Sequence, residues 1–85
     1  MRYKLYGWTH EKFAEYNDDP EDTSKFFMDL ENDEQMLIDY AILINESDDY
    51  DRLVQQKKAM LEASEVTEDV RTIQIWDDED EAWLL

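Results

Sequence analysis

Residues 36–44 read MLIDYAILI, apolar at eight of nine positions and interrupted only by Asp39. A helix this apolar all round belongs at the centre of a fold. Periodicity alone does not separate a buried helix from a buried strand in such a run. Asn32, three residues ahead of Gln35, has capping-box spacing, and acidic residues crowd the start. Both features favour a helix over 33–46, with a buried strand as the competing reading.

Outward from this segment the elements are easier to assign. NDDPEDTS (17–24) is a break made of turn residues, with Pro20 suited to the first turn of a helix from Glu21 to Leu30. That helix would turn Phe26, Phe27 and Leu30 inward. Earlier still, Thr9 caps a short helix, HEKFAEYN, whose Phe13 and Tyr16 share a face. The opening RYKLYGW (2–8) alternates Tyr3, Leu5 and Gly7 against Lys4, Tyr6 and Trp8, which predicts a strand.

On the other side, NESDDYD (45–51) is a turn and helix start. DYDRLVQQKKAMLEAS then places Tyr50, Leu53, Val54, Lys57, Met60 and Leu61 on one helical stripe. VRTIQIW (70–76) alternates as a strand. The expected architecture is a single α+β domain over 1–85, with three to four helices and a small two-stranded terminal sheet. Pairing the first strand with the last closes that sheet, which is marginal unless helices pack on it.

The chain carries 24 Asp and Glu against 8 Lys and Arg, a formal net charge of −16. A small soluble domain commonly stays within a magnitude of about 2 to 8, and self-repulsion on this scale opposes compaction. Eleven aromatic residues supply the opposing burial and separate this chain from disordered acidic tails. It has no cysteine, hence no disulfide and no thiolate metal site. Neither a membrane span nor a signal-peptide pattern is present, so the expectation is a cytoplasmic protein, in a host's cytoplasm if phage-encoded. Direct contact with nucleic acid or anionic lipid is disfavoured by charge.

The charge is unevenly distributed. Residues 1–17 sum to +1, whereas 18–39 hold nine carboxylates and only Lys25. Asp22, Asp33, Glu34, Asp48 and Asp49 stand near predicted helix starts, where acids complement the dipole. The chain supplies about twice what capping requires. The candidate partner-binding residues are therefore Asp18, Asp19, Glu21, Asp22, Asp29, Glu31, Asp33 and Glu34, the turn acids Glu46, Asp48, Asp49 and Asp51, and the run Asp77, Asp78, Glu79, Asp80 and Glu81 with its flanking Trp76 and Trp83. The competing reading packs Trp76 from the last strand and tucks Trp83, with Leu84 and Leu85, back onto the core. Helical carboxylates three or four apart sit about 5–6 Å from one another, comparable to phosphates along a DNA strand. A row of Asp22, Asp29 and Asp33 with the 48–51 turn would imitate such a track.

In size, acidity, aromatic richness and lack of cysteine, the chain resembles the small acidic nucleic-acid-mimic inhibitors carried by phages and mobile elements. These include anti-restriction proteins, anti-CRISPR proteins and uracil-DNA-glycosylase inhibitors. The resemblance is one of class, carries over no residue, and favours anti-CRISPR activity among the three. It implies an inhibitor without cofactor that occupies the basic surface of a CRISPR effector, restriction enzyme or DNA-repair enzyme. The alternative is an acidic adaptor or antitoxin gripping a basic partner through the C-terminal Trp/Leu segment. That segment would equally suit a homodimer.

Other chemistry reads weakly. His10 is the only histidine and lies at a helix start, and Ser24, Ser47 and Ser64 sit at predicted helix ends as caps, so no nucleophile has an oriented base. No catalytic residue and no enzyme activity is expected. A calcium loop counted from Asn45 places Tyr50 at its sixth position and Gln56 at its twelfth, where glycine and glutamate are required. No metal is expected. A halophilic origin fits poorly with five lysines against three arginines and many bulky apolar residues.

Overall fold

A computed structural model describes residues 1–18, 21, 23–63 and 70–84. Strand β1 (Tyr3–Thr9) leads into helix α1 (His10–Asn17), and α2 (Ser24–Glu31) follows. A 3-10 helix (Gln35–Tyr40) precedes β2 (Ile42–Ser47), then α3 (Tyr50–Glu62), β3 (Val70–Asp77) and β4 (Ala82–Leu84). The strands form one antiparallel sheet in the order β2-β1-β3-β4.

The α+β class stands, but the two-stranded sheet is corrected to four strands. The predicted pairing of first and last strands is its centre, with Leu5 opposite Ile75 and Tyr3 opposite Asp77. Residues 33–46 do not form the expected helix. MLIDYAILI divides instead, its first half forming the 3-10 helix and its second half β2. The reason is pairing: β1 presents a free ladder on its far side, and β-branched Ile42 and Ile44 suit that extended conformation. Only Leu37 of the nine is fully buried, so the segment lines the core rather than filling it.

Helices cover both faces, so the central strands are buried on both sides. One face packs Tyr6, Trp8, Trp76 and Trp83 against Phe13, Tyr16, Phe26, Leu30 and Leu37 from α1, α2 and the 3-10 helix. The rings interlock, with Phe13 and Phe26 centroids 4.7 Å apart, Trp8 and Phe26 5.0 Å, and Trp76 and Trp83 4.9 Å. Trp8 Nε1 donates to Leu37 O at 2.9 Å and Trp83 Nε1 to Glu34 O at 3.0 Å, so the buried indoles keep partners. On the other face Leu5, Ile73 and Ile75 meet Leu53 of α3, with Tyr50, Val54 and Met60 partly buried beside them. Phe27 and Leu61, expected inside, are exposed.

Local bonds explain the joints. Thr9 Oγ1 accepts Lys12 N–H, the cap read from sequence. Asn17 Nδ2 donates to Phe13 O while its Oδ1 accepts Phe26 N–H, locking α1 to α2. Gly7 lets the sheet close: a Cβ there would stand 2.9 Å from Ile44 Cδ1 and 3.2 Å from Val70 Cγ1.

Candidate functional site: an acidic rim at one end of the sheet

β1 begins, β2 and β3 end, and β4 begins at the same end of the sheet. The 46–51 turn and the 77–81 run, with 25 residues between them in sequence, are thereby brought together. Arg2 joins them. Its backbone N–H donates to Asp48 Oδ1 at 2.9 Å, and its carbonyl accepts Asp78 N–H at 2.8 Å. Its guanidinium grips Asp77 with both prongs, Nε to Oδ1 at 3.0 Å and Nη2 to Oδ2 at 2.9 Å. Such bidentate charged pairs are directional as well as strong.

Asp77 is the keystone of the turn and is 2% exposed. Its Oδ1 also accepts Glu79 N–H at 3.0 Å and Asp80 N–H at 3.3 Å. The hydrogen bond from Arg2, aided by these amides, holds its pKa down at about 2. Arg2 in turn is held more firmly protonated by Asp77. Around this anchor Asp78, Glu79, Asp80 and Glu81 are exposed, with Lys4 3.7 Å from Asp78 and Arg2 3.2 Å from Glu79.

The rim continues around the β4 edge. Asp33, with φ 56°, accepts Trp83 N–H at 2.9 Å, placing Asp33 and Glu34 next to the hairpin. On the β2 side, Ser47 Oγ accepts Asp49 N–H at 3.0 Å, and Glu46, Asp48, Asp49 and Asp51 are exposed. Asp49 occupies the N-cap position of α3 without a side-chain cap bond. Of the nineteen carboxylates among the described residues, eleven lie on this rim: Asp33, Glu34, the four turn acids and the five of 77–81. The negative charge is concentrated rather than spread evenly.

The remaining candidates fall elsewhere. Asp18 closes α1 with φ 62°, its N–H donating to Ala14 O at 2.9 Å. Asp29 is half-buried and accepts the Tyr16 hydroxyl; burial first, then this carboxylate, raises the Tyr16 pKa. The expected row of Asp22, Asp29 and Asp33 is not built, because Asp29 turns to Tyr16 and Asp33 to β4. Glu21 and Glu31 are exposed. Asp19 and Asp22 lie outside the described residues, as does Ser64.

Trp76 and Trp83 are not surface anchors. They are 2% and 5% exposed and stack across the β3–β4 pair. The run WDDEDEAW is therefore a hairpin: two core tryptophans clamp a turn whose carboxylates face solvent, apart from buried Asp77. Sequence reasoning missed Arg2 and Lys4 as organisers of the rim. The signal was available, since pairing the first strand with the last sets Arg2 beside Asp77.

Comparison with family models, with curated proteins and with solved structures finds no match. Among the described residues, no helix is long and apolar enough to cross a membrane, and no three His, Cys, Asp or Glu are grouped to hold a metal ion. A shallow groove of 240 Å³ lies between α3 and the β3–β4 pair, lined by Val54, Lys57, Lys58, Leu61, Ile75 and Leu84. It carries no carboxylate, and burial lowers the Lys57 pKa.

Proposed function

We propose that this protein inhibits a nucleic-acid-binding protein by occupying the basic surface meant for DNA or RNA. The supporting observation is the anchored rim: Arg2 and the amides of the turn fix Asp77, so the neighbouring exposed acids stand on a rigid base. Little ordering then remains to oppose association, which is where a protein mimic gains over a flexible acidic tail. Strands lie about 4.8 Å apart, so acids at successive strand ends recur on the same scale as phosphates, which rise about 3.4 Å apart along each DNA strand. Long-range attraction speeds encounter and makes binding fall steeply with salt. The adaptor reading has less support, since Trp83 of the segment it needs is buried in the core.

The test uses the immobilised protein as bait for a lysate, with elution by duplex DNA or RNA and by a neutral polymer. Proteins released by nucleic acid alone, and lost from an Asp49→Lys/Glu79→Lys bait, are the expected result. A Glu11→Lys/Glu15→Lys bait, altered at the opposite end of β1, should retain them. Equal capture by both variants counts against the mimic.

A further inference from the structure

We propose that the outer edge of β2 docks an extended segment of the same basic partner, lying antiparallel to β2 with Lys or Arg in its leading half and apolar residues in its trailing half. The inference rests on the preceding reading and adds to it a second contact, made by backbone pairing and apolar burial rather than by charge.

Among the described residues, no strand pairs with the outer side of β2. Open edges are usually guarded by charged side chains, proline, a bulge or shortness. Here the strand runs six residues with no lysine and no proline, and its one charge, Glu46, and its bulge leave Ile42 and Leu43 53% and 48% exposed. From Tyr40 to Asn45 there is no charge at all, in a chain that is 38% charged.

A bulge shapes the strip. Asn45 opposes Leu5 and Leu43 opposes Tyr6, so Ile44 is the extra residue, and its side chain lies over Gly7. The edge is thus divided into an apolar end at Ile42–Leu43 and a polar end at Asn45–Ser47. The polar end runs directly into Asp48, Asp49 and Asp51 of the rim. A segment antiparallel to β2 enters at the rim, where cations are favoured, and leaves over the apolar end. Charge also selects against the other obvious occupant: a second copy brings a further −16.

A random peptide library selected on the wild-type protein, and then compared on Ile42→Thr/Leu43→Thr, tests this. Both side chains are half exposed, the variant adds no charge, and circular dichroism checks its fold. Recovered peptides should carry Lys or Arg first and alternating apolar residues after, binding wild type at least about tenfold more tightly than the variant. Peptides that are cationic throughout and do not distinguish the two proteins overturn the edge proposal and leave the rim reading intact. Recovery without any cationic enrichment overturns both. Dimerisation in sedimentation runs that disappears in the variant assigns the edge to a second copy, which also overturns it.

Discussion

At one margin of the sheet, β4 contributes three residues, its Trp83 is buried, and the Trp83 amide donates to the Asp33 carboxylate. At the other margin, β2 runs six residues with two half-exposed aliphatic side chains and, among the described residues, no strand on its outer side. Each margin strand pairs antiparallel with one central strand, yet one edge is closed by an acid and the other keeps an uncharged apolar half at Ile42–Leu43. In a chain with carboxylates to spare, where an acid does not stand is as informative as where it does. The closed edge belongs to the core; the open one is where the proposed partner segment would pair.

The largest way to break this contrast is Trp83→Ala. Truncating a buried tryptophan costs about 3–5 kcal/mol, a large share of the ~5–15 kcal/mol that stabilises an ordinary domain. Urea denaturation should show that loss, with Trp8, Trp76 and Tyr6 all losing a ring contact.

Next comes the acid limb of the stability profile. Asp77 has a folded pKa of about 2 against an unfolded value of ~3.9. Its contribution is complete above pH ~4 and is lost as pH falls through about 2. Stability should therefore fall as pH drops from ~4 through about 2. Asp77→Asn should remove much of that fall, as read by thermal melts across pH.

Asp33→Ala is smaller, about 1–2 kcal/mol, since it strips the Trp83 amide of its acceptor and puts a Cβ residue without local hydrogen bonding at φ 56°. Asp33→Asn keeps both the acceptor and the tolerance for that backbone, and should restore most of the loss in the same urea assay. Smallest is Leu43→Thr on the open edge, expected within about 0.5 kcal/mol of wild type. A large destabilisation there would mean that β2 is a structural edge after all.

The strand character of β1 and β3, the Thr9 cap and the α3 stripe apart from Leu61 were legible, because each follows from short-range pattern. MLIDYAILI was not, because its apolar character suits either element and the choice depends on a strand, β1, some thirty residues away. β4 was hidden by brevity: three residues cannot display alternation, and five acids before them look like a tail. The paired tryptophans were the usable clue, set either side of a run short enough to be a hairpin turn. The rim acids were individually visible in the sequence. Their convergence was not, since it arises from four strand ends meeting around Arg2.

The order of strands in space has a consequence for how the molecule is made. β1 is translated before β2 and β3, yet it lies between them. Arg2 must wait for Asp77, 75 positions later. Contacts of such long sequence separation slow folding, so the sheet closes like a clasp, only once β3 is available to β1.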